Sequence, residues 1–189
     1  PPNVASVSVR ARTETAITFE WSKAGNNAYM YILRNSNKTE AYTPTYWGGS
    51  VASQTVSSLS PGTKYNFTLY TVFGGERSSG YSFSAVTMPV NVPRVNVSQR
   101  FENELVLAWA KVNSSNVGYV LRHRDGTEIL IMGSQPGSVV THNVSSLSPG
   151  TKYSFTLYTV FEGTRSRGLN FSSYTGLMKL IDYIFKQTS

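Results

Sequence analysis

The chain has 189 residues, of which 40% are hydrophobic and only 14% are charged, and its formal net charge is +7. This composition is too apolar for a disordered chain, and no apolar stretch of about 18 residues is present that would span a membrane. The absence of cysteine excludes disulfides, thiolate metal sites and cysteine nucleophiles. The basic residues are spread over both halves of the chain, which argues against a nucleic-acid interface.

A repeat relates the two halves of the sequence. Trp21 and Trp109 lie 88 residues apart, and the same spacing relates the 17-residue segments 57–73 and 145–161, which differ at one position. One long spacing that relates features over most of a chain indicates a duplicated domain. We therefore predict domains at residues 1–88 and 89–175, followed by a tail at 176–189.

Taken in chain order, the first unit shows strand periodicity. Residues 15–21 place Ile17, Phe19 and Trp21 on one face, and this period of two indicates a half-buried strand. From residue 65 a longer strand alternates in the same way. The predicted strands are 4–10, 15–21, 29–34, 50–56, 65–73 and 81–87. The second unit repeats them at 94–98, 105–109, 118–123, 138–144, in the copy of the long strand, and at 169–175.

Short strands with turn signals at intervals of about 8–12 residues predict an all-β fold. We expect two tandem seven-stranded antiparallel β-sandwiches. Between them, residues 88–93 contain two prolines, which favour an extended, semi-rigid connection.

The tail departs from the repeat. Its apolar residues follow helical spacing and are Leu177, Leu180, Ile181, Ile184 and Phe185. This pattern predicts a short amphipathic C-terminal helix, which at such a length would form only against another surface. The alternative is a disordered or foreign segment at the end of the chain.

The pattern resembles the fibronectin type III family over residues 1–175. Two features carry the resemblance in both copies: a tryptophan on the second strand, Trp21 and Trp109, and a leucine six residues before a tyrosine that opens the long strand. The resemblance implies that these tyrosines, Tyr65 and Tyr153, form tyrosine corners and are structural. A variable-type immunoglobulin domain would instead carry a cysteine pair around its tryptophan.

Within that family, the amino-acid sequence of the near-identical segment is similar to that of the ectodomain repeats of eta-like and H-like receptor-type protein tyrosine phosphatases. The resemblance implies an extracellular location in a cell-surface or secreted protein. It also implies that any phosphatase activity belongs to an intracellular domain outside this sequence.

Catalysis finds little support in the residues. His123 and His142 fall on different predicted strands, and neither belongs to a metal-binding motif. Gly74, Gly75 and Gly80 follow a strand without opening a helix, and they predict a hairpin turn and not a phosphate cradle. We expect no catalytic residue, no metal and no cofactor.

Six sequons of the form Asn-x-Ser/Thr predict N-glycosylation, at Asn37, Asn66, Asn96, Asn113, Asn143 and Asn170. Six is about twice the number that the asparagine, serine and threonine content of the chain gives by chance. Strand alternation places Asn66 and Thr68 on the outward face, where a glycan would fit.

Two aromatic residues in a predicted turn are candidate partner contacts. Trp47 and Tyr46 align with Gln135 and Ser134, so the scaffold does not require them. Tryptophan and tyrosine are enriched in binding hot spots. The alternative for Trp47 is packing over the edge of its own sandwich.

The segments before the last strand supply further candidates. Arg77 and Arg165 are equivalent, and Arg167 occupies the position of Ser79. Such loops carry ligand contacts on rigid scaffolds, but an arginine repeated in both copies also favours stacking on a neighbouring aromatic ring. The basic groups at 122–124 and 165–167 are either ordinary solvated charge or a weak site for a sulfated glycan.

These features favour an extracellular adhesion or ligand-binding module whose partner is a protein or a matrix component. A structural spacer rod is the second hypothesis. A ligand-binding tandem like that of cytokine receptors is the third, although it would normally show disulfides and a Trp-Ser-x-Trp-Ser motif, which this sequence lacks.

Overall fold

A computed structural model describes residues 1–25, 30–45, 49–112, 117–133 and 136–178. The chain divides into two compact units, Pro1–Pro89 and Val90–Ser189. The described residues form strands, turns and loops and contain no helix.

The first unit is a sandwich of two antiparallel sheets. Its strands are β1 Ser8–Arg12, β2 Ile17–Ser22, β3 Met30–Asn35, β4 Glu40–Thr43, β5 Val51–Val56, β6 Lys64–Phe73, β7 Glu76–Arg77 and β8 Tyr81–Val86. The smaller sheet has the order β1-β2-β5. In the larger sheet β4, β3 and β6 follow one another, and both β7 and β8 pair with β6.

The second unit repeats this topology. Its strands are β9 Asn96–Arg100, β10 Leu105–Ala110, β11 Val117–His123, β12 Glu128–Ile131, β13 Val139–Val144, β14 Lys152–Phe161, β15 Thr164–Arg165 and β16 Leu169–Tyr174. The smaller sheet is β9-β10-β13, and the larger sheet joins β12, β11 and β14, with β15 and β16 on β14.

Strand alternation builds the core of each unit. In β2, Ile17, Phe19 and Trp21 are at most 2% exposed because the period of two turns all three toward the opposite sheet. Phe19 meets Phe67 of β6 edge to face, with ring centres 4.8 Å apart. The second unit buries Leu105, Leu107 and Trp109 at the equivalent positions. The all-β sandwich prediction is therefore confirmed.

Two strands in each unit are missing from the predicted list: the two-residue strands β7 and β15 in the hairpin after the long strand, and the edge strands β4 and β12. β4 and β12 form an edge of the larger sheets, and the side chains of β4 are half-buried or exposed on both faces. Because neither face is fully buried, no alternation marks the strand in the sequence. The first strand also begins later than predicted, at Ser8, because Val4 is 3% exposed and packs into the core from outside any strand.

The proline segment at 88–93 is bonded into the units that it connects. The backbone N–H of Met88 donates to the Thr13 carbonyl at 3.0 Å, within the first unit. On the other side, the Asn91 side chain bonds the backbone of Gly168 and Val92 is 1% exposed, both within the second unit. Two of the segment's inner residues thus belong to the second fold.

Only the start of the predicted C-terminal helix lies among the described residues. Gly176 repeats the role of Met88, since its N–H donates to the Phe101 carbonyl at 2.8 Å. Residues 176–178 are not helical, which corrects the predicted start of the helix. The backbone of Gly176 is bonded to the sandwich, whereas the sequence pattern places this residue in the tail. Residues 179–189 lie outside the described ranges.

Candidate contact surface

The hairpin after the long strand carries the arginines that the sequence singles out. In the first unit, β7 returns along β6 with Arg77 paired to Val72. The guanidinium carbon of Arg77 lies 5.7 Å from the centre of the Tyr70 ring. A guanidinium at this distance is attracted to the negative face of the ring. Arg77 therefore stacks on the Tyr70 ring, as the alternative to a ligand contact predicts.

Arg77 also forms a two-pronged ion pair with Glu40 of β4. Its two terminal nitrogens donate to the two carboxylate oxygens at 2.8 and 3.2 Å, and Tyr42 Oη donates to the same carboxylate at 2.9 Å. The hydrogen bond from Arg77, and then that from Tyr42, lowers the pKa of Glu40. The positive charge of Arg77 is thus balanced within its own unit.

The second unit repeats the pair. Arg165 donates to Glu128 at 2.8 and 2.9 Å and lies 5.5 Å from the centre of the Tyr158 ring. The hydrogen bond from Arg165 is the main cause that lowers the pKa of Glu128. Leu130, which is 67% exposed, replaces the tyrosine of the first unit. A partner contact through either paired arginine stays a prediction.

Arg167 differs from the paired arginines. It is exposed in the turn between β15 and β16, and it forms no hydrogen bond or ion pair with any residue that the structure describes. The equivalent Ser79 of the first unit is engaged, because its hydroxyl accepts a hydrogen bond from the Asn3 amide at 2.9 Å. The second unit therefore presents a guanidinium where the first presents a bonded hydroxyl.

An asparagine clamp that the sequence reading missed fixes this turn. In the second unit, the Asn91 side chain accepts from the Gly168 N–H at 2.8 Å and donates to the Gly168 carbonyl at 3.1 Å. Asn3 makes the same pair of bonds with Gly80, at 2.9 and 3.2 Å. The only sequence signal is that both asparagines recur at the repeat spacing.

The aromatic candidates of the first unit lie outside the described residues. Tyr46 and Trp47 belong to the gap at 46–48, and their counterparts Ser134 and Gln135 belong to another gap. Their role as partner contacts stays a prediction.

The four residues assigned structural roles lie where those roles require them. Trp21 and Trp109 are buried, and each meets a tyrosine ring edge to face, at 5.3 and 5.4 Å. The Tyr65 hydroxyl accepts a hydrogen bond from the Ser60 N–H at 2.8 Å. Tyr153 repeats this bond with the backbone of residue 148, also at 2.8 Å. Each tyrosine thereby ties the turn to the strand that follows it.

Five of the six sequon asparagines are described, and all five are exposed; they are Asn37, Asn66, Asn96, Asn143 and Asn170. Asn113 lies outside the described residues. The amide nitrogen of Asn143 donates to Glu104 at 3.3 Å, so that sequon is partly engaged. Exposure makes glycosylation sterically permissible, and occupancy stays a prediction.

The two histidines lie on different strands, His123 on β11 and His142 on β13. His142 is half-buried on the core face of β13, between Val140 and Val144, and its Nε2 is buried with no hydrogen-bond partner among the described residues. Burial is the main cause that lowers the pKa of His142 from 6.5, and the charge of His123 on β11 lowers it further. The described residues contain no cluster of three or more acidic, histidine or cysteine side chains that would hold a metal.

This environment predicts acid sensitivity in the second domain. Because the folded state lowers the pKa of His142, the unfolded chain binds the proton more readily, and stability falls as the pH drops below about 6.5. Replacing His142 with glutamine, the residue that the first unit carries as Gln54, should flatten this slope. Denaturant unfolding at pH 7.5 and 5.5 measures the effect. An unchanged slope in the variant would contradict the assignment.

In the part of the chain that the structure describes, no helix is long and apolar enough to cross a membrane. The family model of the fibronectin type III domain matches the chain twice, at residues 1–86 and 89–172. Each match falls on one of the repeat units. Domains of this family form a non-catalytic structural and binding fold, so the two matched domains are not catalytic.

Two curated proteins of Gallus gallus are similar to the chain. Tenascin is 26% identical over 178 residues, which cover 89% of this chain and 10% of tenascin. Receptor-type tyrosine-protein phosphatase eta is 25% identical over 174 residues, which cover 90% of this chain and 12% of that protein. The chain therefore spans about a tenth of each relative.

The segment of one solved structure shows the same fold. The FN1–FN3 segment of chicken CNTN1 aligns with a TM-score of 0.50 and 14% identity, covering 93% of this chain and 67% of that one. A two-domain fibronectin type III segment of chicken tenascin aligns with a TM-score of 0.48 and 18% identity, covering 90% of this chain and 98% of that one. With two matches of the family model over nearly its whole length, the chain belongs to the fibronectin type III family.

Proposed function

We propose that this tandem is an extracellular adhesion or ligand-binding module of a cell-surface receptor. Tandem fibronectin type III domains are typical of the extracellular parts of receptors and matrix proteins, and the similarity to tenascin and to a receptor-type phosphatase supports this setting. The contact is made by the turn between β15 and β16 of the second domain.

Arg167 carries the proposal. The turn is held rigidly, since Asn91 clamps Gly168 and the buried Ser166 hydroxyl accepts from the Thr159 N–H at 3.0 Å. Because the backbone of the turn is already ordered, binding has to order only the Arg167 side chain and not the loop that carries it. Because no described residue neutralises it, it is available to a carboxylate or sulfate of a protein or matrix partner.

Exchanging Arg167 for serine, as at Ser79, tests the contact. We expect Arg167→Ser to raise the coating concentration for half-maximal cell attachment by tenfold or more, because an interface arginine at a hot spot contributes about 2 kcal/mol. Arg94→Ser makes the same change of charge at an exposed position outside the turn and should leave attachment unchanged. Equal losses of cell attachment in both variants would show that the effect comes from net charge and not from a contact of Arg167.

Two further outcomes separate the alternatives. If enzymatic removal of sulfated glycans from the cells abolishes attachment, the partner is a sulfated glycan, and the exposed Arg122 and Arg124 become its added contacts. If the wild-type tandem supports no attachment to any cell or matrix coating, the module is a spacer. Binding of a soluble ligand alone would instead favour a role like that of cytokine receptors.

A further inference from the structure

The outer face of the larger sheet in each domain forms a shallow groove. In the first domain the groove holds about 570 Å³, and its lining includes Arg34, Lys38, Asn66, Thr68, Ser82 and Ser84. In the second domain it holds about 500 Å³, and its lining includes Arg122, Arg124, Ser154, Thr156, Asn170 and Ser172. We call these the first and second grooves. Most of the lining residues correspond through the repeat.

Each groove contains one sequon, but on a different strand. The first groove has it at Asn66 on β6, opposite Ser84 of β8. The second groove has Ser154 in that place, the single difference in the near-identical segment, and carries its sequon at Asn170 on β16, the neighbouring strand. Each groove thus has one sequon, on one or the other of two paired strands.

Both amide nitrogens are accessible. Asn66 and Asn170 are exposed, and neither Nδ2 has a hydrogen-bond partner among the described residues. The Thr156 hydroxyl donates to Oδ1 of Asn170 at 2.6 Å, which holds the amide by its oxygen. In Asn143, by contrast, Nδ2 itself donates to Glu104.

We propose that one N-linked glycan occupies the groove of each domain, attached at Asn66 in the first and at Asn170 in the second. The inference rests on the extracellular location in the proposed function. The bond forms between Nδ2 and C1 of the first sugar of an oligosaccharide carried on a lipid diphosphate. The C1–O bond to the diphosphate breaks, the lipid diphosphate leaves, and the amide nitrogen loses one proton.

The attachment has a structural consequence. A glycan is bulky and hydrophilic, and from these positions it covers the outer face of the larger sheet. Partner contacts are then confined to turns at the ends of the sandwich, such as the turn that carries Arg167.

The test uses the full chain secreted from eukaryotic cells behind an added signal peptide. Peptide mass spectrometry after release by N-glycosidase in heavy-oxygen water reports occupancy at each asparagine. We expect both Asn66 and Asn170 to be occupied. An unoccupied Asn66 or Asn170 in the secreted protein would overturn the inference.

Exchange variants provide the matched control. Asn66→Ser with Ser82→Asn moves the sequon of the first groove to β8, and Ser154→Asn with Asn170→Ser moves that of the second groove to β14. Each should keep one glycan per groove at the new position. Loss of the glycan from an exchanged, secreted variant would contradict a role for the groove, since both strands present the same face.

A second readout measures coverage. Acylation of the Lys38 amine should be several-fold faster in Asn66→Gln than in the wild type, with Lys23 as the reference amine outside the groove. Equal rates would show that the sugar does not cover the groove. Attachment measured with Arg167→Ser on deglycosylated protein tests the proposed function separately, so either idea can fail alone.

Discussion

Replacing Gly133 with alanine is expected to destabilise the second domain by about 3 kcal/mol, near the upper end for overpacking. Gly133 follows β12, and a Cβ on it would lie 1.7 Å from the Val117 carbonyl oxygen and 2.9 Å from the carbonyl carbon. Both atoms are backbone at the start of β11, so relief requires β11 or the chain after β12 to move. The midpoint temperature of thermal unfolding of the second domain should fall by about 12 °C or more.

Gly118→Ala is the matched control for that prediction. Gly118 lies on β11 next to the same junction, but its Cβ would come no closer than 3.6 Å to the Ile131 carbonyl oxygen, an ordinary contact. We expect its effect to stay within about 0.5 kcal/mol. The first domain, which carries Thr45 at the position of Gly133, is changed by neither substitution. Its unfolding transition therefore serves as an internal reference. Equal effects of the two alanines would contradict the close approach.

Gly168→Ala should be almost as disruptive, at about 2–3 kcal/mol. The residue has φ of +89°, which costs an alanine about 1–2 kcal/mol. Its Cβ would also lie 2.7 Å from both Thr156 Cγ2 and Tyr158 Cε1. Because Gly168 anchors the turn to Asn91, the same change should displace Arg167 and weaken cell attachment. Denaturant unfolding and the attachment assay measure the two effects.

Gly163→Ala separates the two causes. Gly163 also has a positive φ, of +76°, but no atom lies within 4 Å of its Cβ position. It should therefore show the backbone cost of about 1–2 kcal/mol without the steric contact. Adding Tyr158→Ala to Gly168→Ala should recover part of the stability that Gly168→Ala loses beyond the backbone cost. A double-mutant cycle measures this coupling. If Gly163→Ala is as damaging as Gly168→Ala, the contact with the Tyr158 ring is unimportant.

Local features of the sequence predicted the scaffold well. The 88-residue spacing and the period of two placed the core strands, and Trp21, Trp109, Tyr65 and Tyr153 have the expected surroundings. Such signals work because burial of one strand face imposes its period on consecutive residues. β4 escaped this reasoning because an edge strand with two partly exposed faces leaves no such period, and β12 escaped it because the exposed Leu130 interrupts the alternation of apolar and polar residues.

The candidate site was predicted in part. The sequence indicated Arg77, Arg165 and Arg167 together, and it offered no means of ranking them. The structure separates them, because Arg77 and Arg165 pair with carboxylates 37 residues away on another strand, whereas Arg167 pairs with no described residue. Whether a charge is balanced depends on which strands the fold places in one sheet within side-chain reach, and that information is absent from local spacing.

The sequence by itself determined the family, the two-fold repeat and the outward direction of the glycosylation sequons, since each depends on residues close together or on one fixed period. The tertiary structure alone decided which arginine is available, which asparagines clamp the turns, and that Asn66 and Asn170 share equivalent grooves. Each of these features depends on residues that are far apart in the sequence, and only the folded sheets of a domain place such residues next to one another.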